Sequence, residues 1–185
     1  MVRDPDLDRA EGAVRELLLA YGLEPAGDME GTPRRVAEMG IELLEGALSE
    51  PQTLDVIAGP DTPVMIDKIR FFSLCAHHLL PFFGHATVGY IPKDGRILGL
   101  GSLCRIVDLA ARRPTLQEKL AEEIAGRIEE TLAPQGVYVR LEALQLCVMM
   151  RGPKQAEALT TTVARRGLCC TAEGMVALFG PGAKR

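Results

Sequence analysis

Large aromatic side chains are scarce in this chain: tryptophan is absent, and aromatic residues make up 4% of its 185 residues. This scarcity argues against nucleic-acid binding by base stacking, which needs a series of exposed rings. An excess of charge of one sign is lacking as well, because 21 basic and 25 acidic residues give a formal charge of −4. We therefore expect no general surface for nucleic acid or membrane, although a local basic pocket remains open.

The chain also lacks long hydrophobic runs. No apolar stretch approaches the length of a membrane span, and residues 1–9 are charged, without the apolar segment of a signal peptide. These absences predict a cytoplasmic protein with no membrane partner. Five cysteines are present, and in that compartment they are expected to be thiols or metal ligands rather than a disulfide framework.

The hydrophobic pattern predicts an α+β fold with the order α-α-β-β-α-α-β-β-α. Thr32 is typical of a helix N-cap and Pro33 of a first helical residue. Four antiparallel strands with helices on one face leave the other face uncovered, which favours an oligomer that closes the sheets into a ring. We expect an N-terminal helical segment over residues 1–60 and an α+β domain over 61–185. The predicted helices cover 7–21, 33–48, 103–111, 114–132 and 171–179; the predicted strands cover 64–74, 82–92, 137–150 and 158–168; and residues 51–63 are predicted as a loop.

The most informative segment carries Cys75 and His78 at a C-x-x-H spacing, which suits two ligands of one Zn²⁺ ion. The same spacing also fits a buried cysteine beside surface histidines. Cys147, on a predicted strand, is the favoured third ligand, and three protein ligands leave one position for water, as in catalytic zinc sites. Spacing alone does not bring Cys147 to the other two. Cys104 is the alternative third ligand, but it lies on a predicted helix, where a cysteine of the core is expected. The adjacent Cys169 and Cys170 are expected to be structural.

Several segments in one order along the chain are together far more specific than any single motif. They are Thr32–Ala37, Phe72–Gly84, Val88–Pro92, Arg105–Asp108, Leu116–Leu120 and Cys147–Gly152. With these segments the chain resembles the GTP cyclohydrolase I family over roughly residues 10–180. The resemblance implies the tunnelling fold, in which subunits join into a barrel, and makes residues 61–185 its catalytic domain. It also implies a decamer of two stacked rings with active sites between subunits.

The resemblance also implies a reaction on GTP. Water activated by zinc attacks C8 of the guanine ring, the imidazole ring opens, C8 leaves as formate, and the sugar rearranges to give 7,8-dihydroneopterin triphosphate. By resemblance, Cys75, His78 and Cys147 hold the zinc, and His77 is the acid–base group beside it, because imidazole titrates in the useful range.

The same resemblance assigns the substrate contacts. Glu118 matches the carboxylate that binds the guanine edge by accepting two hydrogen bonds, and Gln117, beside it, is expected to help bind the substrate. The triphosphate contacts match Arg35, Arg105 and Arg151, whose planar guanidinium groups suit phosphate.

Three positions depart from the family pattern. Gln145 stands where the family has a proton-transferring histidine, and an amide cannot transfer a proton. By its place in the family pattern, Gln145 is still expected to be a catalytic position. Ser102 stands where a phosphate-binding lysine is usual, and Ala76 replaces a glutamate.

These departures leave three functions open. The first is complete hydrolysis of GTP, with water or His77 replacing the missing histidine. The second is a divergent paralogue that stops at the ring-opened formamidopyrimidine, or that uses a guanine substrate with fewer phosphates. The third is a non-catalytic homologue that binds a nucleotide or regulates an enzyme. The retained zinc ligands argue against the third function.

Overall fold

The computed structural model describes residues 4–49 and 53–180, and the chain forms two compact units, residues 1–51 and 52–185. The first unit contains α1 (Leu7–Ala20), α2 (Thr32–Leu43) and α3 (Glu45–Leu48). Asp6 caps α1 by accepting a hydrogen bond from the backbone N–H of Arg9. Gly31, not Thr32, is the N-cap of α2. The Thr32 hydroxyl instead accepts a hydrogen bond from the Arg35 guanidinium at 3.2 Å.

The second unit is built on a five-stranded sheet. Its strand order is β5-β2-β3-β6-β7, in which the four long strands are antiparallel neighbours and the short β5 pairs in parallel with β2. A separate two-stranded sheet joins β1 to β4. The elements are β1 (Val56–Ala58), β2 (Val64–Cys75), β3 (Pro81–Ile91), β4 (Arg96–Leu98), α4 (Leu100–Ala111), β5 (Pro114–Thr115), α5 (Gln117–Leu132), β6 (Gly136–Gln145), α6 (Leu146–Met149), β7 (Leu159–Gly167) and α7 (Ala172–Phe179).

The main core lies between one face of this sheet and helices α4 and α5. Every second residue of a long strand faces the helices. Val88 and Leu141, for example, are fully buried in the same cluster as Ile106 and Ile124 of the helices. This arrangement confirms the predicted α+β sheet packed on one face, because strand side chains alternate between faces while helical side chains recur every three to four positions.

The opposite face of the sheet is covered only in part. At one end, Met175 and Leu178 of α7 pack with Ile91, Tyr138 and Cys169 in a second, smaller cluster. The rest of this face exposes apolar side chains, among them Phe72 (62% exposed), Leu159 (57%) and Val163 (44%).

Several predicted boundaries were wrong. The helix expected over 33–48 is interrupted at Leu44, and α4 begins at Leu100 rather than at Leu103. Residues 51–63 are not entirely loop, because β1 pairs with β4 there. Pro114 does not open a helix but lies in β5, and α5 begins at Gln117. The strand predicted to Met150 ends at Gln145 and turns directly into α6. The two compact units divide between residues 51 and 52, so β1 lies in the second unit. The functional division into 1–60 and 61–185 stays a prediction.

Among the described helices, none has the length and apolarity that crossing a membrane requires.

Candidate metal centre

The candidate metal centre forms where three strand ends meet. Strand β3 lies between β2 and β6, with Ser73 paired to Phe82 and Phe82 paired to Gln145. The residues at or just after the ends of β2 and β6 are therefore neighbours in space, although they are far apart in sequence. This register brings Cys75 and Cys147 to the same corner of the sheet, which we call the metal corner.

A tight turn after β2 holds the first two ligands. The backbone N–H of Leu79 donates to the Cys75 carbonyl at 2.8 Å, and the Cys75 N–H donates to the Leu80 carbonyl at 2.8 Å. Leu79 adopts a left-handed conformation with φ 53°, which is uncommon for a non-glycine residue. The turn places His78 beside Cys75, with Nδ1 of the histidine 3.7 Å from Sγ of the cysteine.

Cys147 completes a group of three. One ligand atom from each of Cys75, His78 and Cys147 lies within 4.8 Å of the others, and this is the only such group of potential metal ligands within residues 4–49 and 53–180. The prediction that Cys147 lies on a strand was wrong, because it lies on the single helical turn α6. The chain reverses there, which aims this side chain back toward the turn after β2.

The remaining cysteines stay outside this group. Cys104 is exposed on α4, so the expectation of a core cysteine was wrong. Cys169 is buried and Cys170 is exposed, as expected for neighbours that cannot share a metal.

The donor set fits zinc. Two thiolates and one imidazole form a combination that Zn²⁺ binds, and three ligands leave a position open for chemistry. Burial and the neighbouring Cys75 thiol raise the pKa of Cys147. A divalent cation between the two sulfur atoms would offset this effect, because its charge stabilises thiolates.

A polar shell surrounds the three ligands. Nη1 of Arg151 donates to Nε2 of His78 at 2.7 Å, because a guanidinium is a donor only. His77 is exposed, and its ring centroid lies 6.1 Å from that of His78 with the planes nearly perpendicular. Both His77 and Arg151 therefore lie at the metal corner, while their roles as acid–base group and phosphate contact stay predictions.

Two glutamines connect the metal corner to α5. Gln145 donates through Nε2 to Oε1 of Gln117 at 2.7 Å, and Oε1 of Gln145 lies 4.0 Å from Sγ of Cys147. Gln117 is buried, whereas Glu118, the next residue, is exposed in the first turn of α5. The parallel pairing of Thr115 with Cys75 brings this helix start to the metal corner.

Two of the predicted phosphate contacts lie on helices, and their binding role stays a prediction. Arg105 is exposed on α4, and Arg35 is exposed on α2 in the first unit. Ser102 is buried, where it accepts a hydrogen bond from the backbone N–H of Asp55 at 3.0 Å. In this chain, the position where the family usually has a lysine therefore carries a buried serine that makes a hydrogen bond within the fold.

Sequence reasoning missed β5 and the hydrogen bond between Gln117 and Gln145. A two-residue strand has no detectable hydrophobic period, and no local pattern indicates that two side chains 28 positions apart are bonded.

The chain matches known proteins along most of its length. A family model described as GTP cyclohydrolase I matches residues 10–179. A relative from Acetivibrio thermocellus named GTP cyclohydrolase 1 is 45% identical over 172 residues, covering 90% of this chain and 91% of the relative. Proteins of the same name from Streptococcus agalactiae (41% identical, covering 89% and 90%) and Mycobacterium marinum (46%, covering 88% and 83%) are also similar. The chain therefore belongs to the GTP cyclohydrolase I family, and its α+β sheet has the tunnelling fold that the resemblance implied.

Proposed function

We propose that this chain is a zinc-dependent hydrolase that opens the guanine imidazole ring of GTP at C8 and yields 7,8-dihydroneopterin triphosphate and formate. The observation that carries the proposal is the convergence of Cys75, His78 and Cys147 within 4.8 Å in a chain of the GTP cyclohydrolase I family. The curated relatives that match almost the full chain carry the name of this activity.

The three ligands set the chemistry of the site. Zinc held by Cys75, His78 and Cys147 would supply water of lowered pKa, a nucleophile strong enough for the weakly electrophilic C8. His77 is exposed beside this group and acts as the acid–base group, since imidazole both accepts and releases a proton near neutral pH.

The substrate contacts are proposed from the same matches. Glu118 accepts two hydrogen bonds from the ring N1–H and the neighbouring 2-amino group of guanine, a pair of donors that adenine lacks. Gln117 contributes to substrate binding beside it, from a buried position at the start of α5. Arg35, Arg105 and Arg151 bind the triphosphate, and the contact of Arg151 with His78 supports a position for phosphate near the metal.

We also propose a homo-oligomer, a decamer with active sites between subunits, in the cytoplasm. The exposed apolar side chains on the uncovered face of the sheet support an assembly, because a contiguous apolar patch on an isolated chain is unfavourable.

Gln145 favours a second candidate, a reaction that stops at the ring-opened formamidopyrimidine. Both ends of its amide already face a partner, Gln117 on one side and Cys147 on the other. An amide in this position holds a hydrogen bond but moves no proton.

Mass spectrometry of the products separates the two candidates. Zinc-loaded protein is incubated with GTP, GMP, guanosine and guanine, and the variant Gln145→His is tested in parallel. Dihydroneopterin triphosphate with formate supports the complete reaction, whereas a product heavier than GTP by one water supports the truncated one. The absence of turnover in both proteins with zinc bound would contradict the proposed function.

A further inference from the structure

The amide of Gln117 has only one orientation compatible with its surroundings. This side chain is 2% exposed, and its Nε2 lies 2.9 Å from the carbonyl oxygen of Thr160 and 3.2 Å from that of Leu141. Backbone carbonyls only accept hydrogen bonds, so the NH₂ group must face them. The opposite orientation would bury three oxygens against one another without a donor, which is costly in a buried site.

The orientation of Gln117 in turn fixes that of Gln145. Oε1 of Gln117 faces away from the two carbonyls and lies 2.7 Å from the amide nitrogen of Gln145. Because Oε1 is an acceptor, Gln145 must present its NH₂ group to it. The oxygen of Gln145 is then left on the side of the metal corner, 4.0 Å from Sγ of Cys147.

We infer that Gln117 is a positioning residue, which fixes Gln145 so that an acceptor oxygen, and not an NH₂ donor, faces the metal corner. The backbone carbonyls of Leu141 on β6 and Thr160 on β7 orient the amide of Gln117. The amide of Gln117 in turn orients that of Gln145 at the metal corner. Amide oxygens have two lone pairs, so the Gln145 oxygen at the metal corner can accept from an N–H or O–H of the substrate. Gln145 therefore orients a donor and transfers no proton.

The chemistry of this inference rests on the proposed function, but the orientation of the amides is measurable without turnover. The chain has five glutamines, so ¹⁵N-glutamine labelling gives a small set of side-chain NH₂ signals. Single Gln→Met variants assign the signals of Gln117, Gln145 and the exposed Gln155. We expect exchange with solvent to be at least about tenfold slower for the Gln145 NH₂ group than for that of Gln155, because one of its N–H bonds donates to the buried Gln117 oxygen.

Removal of the positioning residue should release Gln145. In Gln117→Met, the Gln145 NH₂ protons should exchange as fast as those of Gln155. The matched control is Gln135→Met, which removes an amide bonded to the Pro92 carbonyl, away from the metal corner, and should leave Gln145 unchanged. Fast exchange of Gln145 in the unmodified protein, or no change in Gln117→Met, would overturn the inference whether or not GTP is hydrolysed.

Turnover of GTP provides a second, independent readout. Gln117→Met and Gln145→Met should each lower kcat by about tenfold with zinc content unchanged, and the double variant should lose no more than either single one, since coupled residues are non-additive. Losses that multiply in the double variant would mean that the two residues act separately and would contradict the inference. If Gln117→Met does not fold, Gln145→Met still reports on the acceptor: an unchanged kcat in that variant would overturn its role.

Discussion

Buried cysteines occur at two places in the second unit, and their surroundings differ. At the metal corner, Cys75 lies at the edge of the main core beside Cys147 and His78, and polar side chains lie next to Cys147 and His78. In the smaller cluster on the opposite face, Cys169 is fully buried among apolar side chains. Burial of a thiol therefore does not indicate a metal site; the convergence of ligands from different strand ends does. We expect changes at the metal corner to affect zinc and turnover, and changes in the smaller cluster to affect the free energy of unfolding.

The largest effect is expected from Cys147→Ala. Loss of one of three ligands should remove bound zinc and lower GTP turnover by more than about 100-fold, the upper range for groups that only support a metal ligand. Zinc content by atomic absorption and turnover measure the result, and Cys170→Ala, at an exposed cysteine, is the control. Full zinc content in Cys147→Ala would refute the proposed ligand set.

Leu178→Ala tests the smaller cluster. Leu178 packs over Gly89, where a Cβ atom would lie 3.0 Å from a Leu178 methyl carbon. Its truncation should lower the free energy of unfolding by about 2 kcal/mol, because it leaves a cavity in a largely buried site. Urea unfolding measures the change. Zinc content per folded chain should stay the same, and a loss of zinc would show that the two regions are not independent.

Glu118→Gln should separate substrate binding from stability at the metal corner. We expect kcat/KM for GTP to fall about tenfold, the value of a hydrogen bond to a charged group. The free energy of unfolding should change by less than about 0.5 kcal/mol, because Glu118 is exposed. Lys119→Gln, at the exposed neighbouring residue, should change neither quantity. An unaltered kcat/KM in Glu118→Gln would remove this residue from the guanine site.

The smallest effect concerns the pH dependence of stability. Burial raises the pKa of Cys169 from 9.0 to about 11. Below pH 9 the thiol is protonated in the folded and unfolded states; between pH 9 and 11 only the unfolded state ionises, so stability falls as pH rises. Unfolding of Cys169→Ala and of the control Cys170→Ala should show a weaker alkaline loss in the first variant alone. Equal slopes would contradict the shifted pKa.

Local patterns predicted the main elements well. The hydrophobic pattern identified the four long strands. In two of them, which contain the buried residues Val88 and Leu141, it alternates, because a half-buried strand imposes a period of two on the sequence. The motifs indicated Cys75 and His78 as ligands, since three positions separate them on one turn. Patterns failed for β5 and for the end of β6, where structure depends on pairing with distant residues.

The sequence by itself determined which chemistry is available: two thiols and an imidazole for a metal, a carboxylate after a glutamine on α5, and an amide in place of a histidine at position 145. The tertiary structure decided which of these groups meet. Cys147 joins Cys75 only because β3 lies between β2 and β6, and Gln145 turns its oxygen to the metal corner only because the carbonyls of Leu141 and Thr160 orient Gln117. The physical reason is that ligand type is a property of single residues, whereas distance and hydrogen-bond polarity are set by strand register between segments far apart in the chain.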